Sequence, residues 1–158
     1  MKPQTEARKT TWFIIFFAMV ASVGVYGLLC FILMQSRSAP PVGNGLQTLR
    51  PILYVVAVGD VLASIAWVHF KTNGRIGGTA AMPSTGYLLM KAAEFQTVSI
   101  VGLALAEACA IFGLLLFFLG APITEFALFA VATLAVDLLY ILPKGITYWA
   151  AWEQQQSR

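Results

Sequence analysis

Residues Ile100 to Gly120 read IVGLALAEACAIFGLLLFFLG, an apolar run that carries a single ionisable side chain, Glu107, near its midpoint. At about 1.5 Å rise per residue, roughly 20 apolar residues in a helix cover the ~30 Å hydrocarbon core of a bilayer, so the run reads as a membrane span. An acid at the centre of such a span costs roughly 2.5 to 3.5 kcal/mol on insertion scales, and residues of this kind face a bundle interior or a water-filled path. Glu107 is therefore the first residue for which a function has to be sought.

Three further apolar runs flank this one, Thr11 to Met34, Pro51 to Phe70 and Ile123 to Leu142. The expected fold is all-α: one four-helix transmembrane bundle over residues 1–158, with spans at about 11–34, 51–70, 96–119 and 123–142. Composition agrees, because 59% of the residues are hydrophobic and only 11% charged, against about 25% charged in a soluble domain. Mean hydropathy is +0.78. The first run is longer than the apolar core of a signal peptide, about 7 to 15 residues, and reads as a span with a small-residue face of Ala18, Ser22, Gly24 and Gly27.

The connections are marked by turn formers: Pro40-Pro41 and Gly43-Asn44-Gly45, the glycine-rich stretch after Lys71, and Gly120-Ala121-Pro122. Pro51 suits the first turn of helix two, and Pro143-Lys144-Gly145 closes helix four. Two stretches, 84–95 and 145–155, read as interfacial helices, the second anchored by Tyr148, Trp149 and Trp152. A continuous helix from Ser84 to Leu119 would be about 54 Å long, more than the hydrocarbon needs.

Basic residues set the expected orientation. Lys2, Arg8, Lys9, Lys71, Arg75, Lys91, Lys144 and Arg158 fall on the segments that share a side with the termini, and only Arg37 and Arg50 fall on the other. The positive-inside bias puts both termini in the cytoplasm, in a cell inner (cytoplasmic) membrane. The net charge of +3 is spread between apolar runs with no basic stripe, which argues for lipid headgroups and against nucleic acid as the partner.

Asp60 and Glu107 are both placed near mid-membrane by counting along antiparallel helices, with Ser64 one turn beyond Asp60 on the same face. Two carboxyls close together in low dielectric cannot both ionise, so Glu107, Asp60 and Ser64 form the candidate ion-binding set for a proton or cation. The competing reading has each acid protonated and bonded to Ser64, Thr133 or a backbone carbonyl, acting as structural glue. Gly102, Ala106, Ala110 and Gly113 recur at helical spacing and form the candidate helix-packing face. Asp137 reads as a topology anchor with Lys144 as a partner, and Glu125 as an acid favoured by the helix N-terminus.

Cys30 and Cys109 lie within apolar runs and read as small buried hydrophobes, and one histidine, His69, is too few for a two-histidine haem or a metal site. No nucleophile with an adjacent base and no metal cluster is legible. The expectation is a non-enzymatic protein with no cofactor and no metal.

The segment Glu107-Ala108-Cys109-Ala110-Ile111-Phe112-Gly113-Leu114 resembles the ion-binding helix of the proteolipid c subunits of rotary ATP synthases, in which a membrane carboxylate precedes a small-residue, aromatic, Gly-Leu pattern. That resemblance implies Glu107 as the proton or sodium carrier. The match covers about 8 to 15 residues, lacks the polar loop of those subunits, and places the acid in the third helix, not the last. Helices three and four, with Pro143-Lys144 after them, also resemble small uncharacterised four-helix bacterial membrane proteins, which bring no function. The expected function is a proteolipid-like membrane protein with a mid-membrane ion-binding carboxyl, self-associating or docked on a larger membrane complex. The alternatives are a structural or assembly subunit and, third, a small proton-coupled transporter.

Overall fold

The computed structural model describes residues 2–36, 44–72 and 92–156, nearly all of them helical. The order is α1 (Lys2–Ser36), α2 (Asn44–Thr72), α3 (Ala92–Phe118), α4 (Ile123–Val136), a π-helical turn (Asp137–Ile141) and α5 (Leu142–Gln156). Among the described residues, four stretches are long and apolar enough to cross a membrane: Glu6–Gln35, Gln47–Thr72, Ala92–Phe118 and Ile123–Gln154. The fold is a four-helix all-α bundle, and it suits a multi-pass membrane protein.

The helices run past the apolar spans. The polar start of α1 is rich in good helix formers, and adding residues to an existing helix is cheap once it is nucleated. α2 begins at Asn44, so Pro51 lies inside it and removes one backbone bond without ending it. Of the stretch expected as an interfacial helix over 84–95, residues 84–91 lie outside the described residues, and 92–95 form the first turn of α3.

Helix four does not close at Pro143, and the stretch 145–155 is no separate helix. The chain stays helical to Gln156, because the π-turn carries the Leu142 N–H to the Asp137 carbonyl and widens the backbone just before the proline. Proline lacks an N–H, and its ring crowds the carbonyl four residues back, which a wider turn relieves. Continuity turns the tail inward: Tyr148 and Trp149 are fully buried, where membrane-facing anchors were expected.

α3 is the hub of the bundle, touching α1, α2 and α4. Lipid tails are as apolar as leucine, so helix contacts in a bilayer depend on close packing, and small residues permit it. Gly102, Ala106, Ala110 and Gly113 are all buried. A Cβ on Gly102 would stand 2.5 Å from Val68 Cγ2 of α2, and one on Gly113 would stand 2.7 Å from Phe129 Cβ of α4.

The α3–α4 turn is a Schellman motif. Gly120 has φ 101°, Ala121 N–H donates to Leu116 O at 2.9 Å and Gly120 N–H to Phe117 O at 3.1 Å. Both bonds satisfy carbonyls that the end of a helix leaves open, and the positive φ explains the glycine. At the other end of the bundle, Phe95 stacks on Tyr148 at 3.8 Å, and Trp12 of α1 lies against Gly145 of α5. Lys9 pairs with Glu153 at 2.6 Å, so the first and last turns of the chain share that end.

Candidate functional site: a carboxyl between α1 and α3

Glu107 lies where α3 faces α1, partly buried. Tyr26 donates its hydroxyl to Glu107 Oε1 at 2.8 Å, and the Ser22 hydroxyl contacts the same oxygen. Ser22 and Tyr26 are one helical turn apart on α1, so a single face of that helix presents both groups. The Ser22 hydroxyl also lies 2.6 Å from the Met19 carbonyl of its own helix.

Those contacts set a hydrogen count. The two hydroxyls both reach Glu107 Oε1, Ser22 also reaches the Met19 carbonyl, and Ser22 and Tyr26 interact with one another. A serine and a tyrosine hydroxyl carry one hydrogen each, and a backbone carbonyl and an ionised carboxyl carry none. A protonated Glu107 carboxyl would add a third hydrogen to the cluster, able to donate to Ser22 while Ser22 donates to Met19 O. With Glu107 ionised, the single Ser22 hydrogen is divided between the carboxylate and the Met19 carbonyl.

No hydrogen bond joins Asp60 to Glu107. The electrostatic influence of Asp60 reaches Cys109, and that of Glu107 reaches Asp137. Positions 107 and 109 of one helix lie about 200° apart around its axis, so the two acids look onto different faces of α3. Ser64 is fully buried and donates to the Gly102 carbonyl at 2.7 Å, fastening α2 to α3 and leaving Glu107 to α1. Thr133 of α4 likewise donates to the Ala106 carbonyl at 2.9 Å. The candidate trio thus separates: Glu107 has hydroxyl partners, Ser64 is a helix tie, and Asp60 stands on the side of Cys109.

The hydroxyl partners of Glu107 were not legible beforehand. In the sequence Ser22 reads only as part of a small-residue face. The usable signal is the i, i+4 pair of hydroxyls in an otherwise uncharged span.

Asp137 is 1% exposed, and among the described residues its Oδ1 has no hydrogen-bond partner. Lys144 does not pair with it: its ammonium donates to Thr72 Oγ1 at 3.1 Å and lies over the Tyr140 ring at 4.5 Å. Glu125, in the first turn of α4, is buried and pairs with Arg50 of α2 at 2.5 Å, with the Tyr54 hydroxyl at 3.4 Å.

An apolar hollow of about 180 Å³ opens between α2 and α4, lined by residues such as Tyr54, Ala57, Val61, Cys109 and Phe129. Neither Cys30 nor Cys109 is in a disulfide. Among the described residues no group of three or more His, Cys, Asp or Glu side chains could hold a metal ion. No family model matches the chain, and no curated protein or solved structure matches it either.

Proposed function

We propose that this chain is a non-enzymatic, proteolipid-like protein of a cytoplasmic membrane, with both termini on the cytoplasmic side, and that Glu107 binds a proton within the bilayer. It works as a homo-oligomer or within a larger membrane complex. The observation that carries the reading is Ser22, which contacts two acceptor oxygens with one hydrogen, a shortage that a protonated Glu107 donating to Ser22 relieves. A neutral carboxyl also avoids most of the cost of a charge at that depth.

A second reading rests on the fact that both hydroxyls come from α1. The same bonds then serve to tie α1 to α3, and the carboxyl is structural.

Carbodiimide modification separates the two, because the reagent attacks protonated carboxyls in apolar surroundings. The full chain in lipid vesicles is treated across a pH series, and the adduct is located by mass spectrometry. The proton-binding reading expects modification of Glu107 at neutral pH, fading as the pH is raised. Slowing by sodium but not by choline would show that a cation competes for the same oxygens. Absence of an adduct at every pH, with Glu107→Gln only loosening the bundle, would leave the structural reading.

A further inference from the structure

Asp137 is the buried acid that the reading above leaves unused. Its placement follows from its neighbours on the same helical rod. One turn before it, Thr133 bonds the Ala106 carbonyl, and one turn after it the Ile141 side chain lies 3.5 Å from where a Gly102 Cβ would be. Asp137 is therefore held against the turn of α3 that leads into Glu107, and the Glu107 carboxyl acts on it electrostatically. It also opens the π-turn, a widening of the kind often found at functional positions.

The other charged and titratable groups around it are already committed. Lys144 is spent on Thr72 and the Tyr140 ring, while Ser22 and Tyr26 of α1 bond Glu107. Asp60 of α2 acts on Cys109. Glu107 is the group whose charge acts on Asp137, which is 1% exposed and has one oxygen, Oδ1, unpartnered among the described residues.

We propose that Asp137 is the second proton-binding carboxyl of the site, and that Glu107 and Asp137 titrate as one coupled pair that never carries two negative charges near neutral pH. The pair takes the place that Asp60 and Glu107 were expected to fill. A buried carboxylate with an empty oxygen is costly, and a second acid nearby makes the charged form costlier still, so both conditions favour the neutral carboxyl. Loss of the Glu107 proton then makes loss of the second harder, so the two protons leave in separate steps. This proposal rests on the reading of Glu107 as a proton site.

The test uses the full chain in lipid vesicles, with infrared absorbance of protonated carboxyls recorded in H2O and D2O, alongside the carbodiimide profile. The wild-type chain is expected to show two buried protonated carboxyls at neutral pH, lost in separate steps as the pH is raised. Asp137→Asn should remove one of them and move the pH midpoint of Glu107 modification by about one unit or more, the scale on which coupled sites are recognised. Asp60→Asn should leave the pH midpoint of Glu107 modification as it is.

An unmoved Glu107 midpoint in Asp137→Asn, or a wild-type spectrum with one protonated carboxyl that Glu107→Gln abolishes, would overturn the pairing and leave Glu107 as a lone site. A spectrum that Glu107→Gln does not change would instead remove the reading of Glu107 itself. The wild-type count needs no variant, so a misfolded Asp137→Asn chain cannot rescue the proposal.

Discussion

Tyr26 and Glu107 meet at 2.8 Å across the contact of α1 with α3, hydroxyl to carboxyl oxygen, and they do so in a part of the bundle built for lipid. Removing the phenol hydroxyl in Tyr26→Phe should weaken the bundle by about 1 kcal/mol, the net worth of one buried hydrogen bond. Unfolding in mixed detergent, followed by circular dichroism, measures that loss. If Glu107 is the reactive carboxyl, the same variant should react faster with carbodiimide, because a competing bond to Oε1 is gone. Stability equal to wild type would show that the contact is not made in lipid.

Gly113 sets how near α4 can come to α3. A Cβ there would sit 2.7 Å from Phe129 Cβ and 3.3 Å from the Phe126 Cα, and neither atom can swing aside as a flexible chain end could. Gly113→Ala should cost about 1 to 3 kcal/mol, the usual range for overpacking. The detergent midpoint of that variant, compared with Ala110→Ser on the same face, reads the effect.

Gly145 and Trp12 form a similar contact at the opposite end, where a Cβ would run into the buried indole. Gly145→Ala alone should destabilise. Combined with Trp12→Leu, which vacates the space, it should cost less than the sum of the two single changes, and a double-mutant cycle gives the coupling.

The Lys9–Glu153 and Arg50–Glu125 pairs should differ in worth. Lys9 and Glu153 are both well exposed, with side chains 38% and 57% accessible, so Lys9→Ala should cost about 0 to 1 kcal/mol. Arg50→Ala leaves Glu125, whose side chain is 8% accessible, with only the long contact to Tyr54. A stranded buried carboxylate costs about 2 kcal/mol or more. Equal losses in the two variants would show that Glu125 finds water.

Gly120 tests the turn. Its φ of 101° is strained for any residue with a Cβ, so Gly120→Ala should lose about 1 to 2 kcal/mol. Pro122→Ala should lose less, since no bond of the Schellman motif depends on its ring. Unfolding midpoints of the two variants give the comparison.

The spans could be read from residue order because the uninterrupted apolar stretches from Thr11, Pro51, Ile100 and Ile123 have the length and composition of helices in lipid. The tight turn at Gly120 could be read too, since a glycine with a proline two residues on marks a helix end. The partner of Glu107 could not. Counting residues gives the depth of Asp60 and Glu107 but not the direction each takes around its helix, and the hydrogen bonds to Glu107 come from Ser22 and Tyr26 of α1. Those two side chains lie in an uncharged run that gives no sign of an ionisable neighbour. The π-turn was hidden for a related reason: Pro143 announces a helix end, and only three-dimensional packing of Tyr148 and Trp149 against Phe95 rewards carrying on.

The pairing of Lys9 with Glu153 has a practical corollary. With the early part of α1 beside the late part of α5, two halves of a split fluorescent reporter fused before α1 and after α5 would be tethered within reach of each other on a single molecule. They would light up at any dilution, and in the compartment that both ends face.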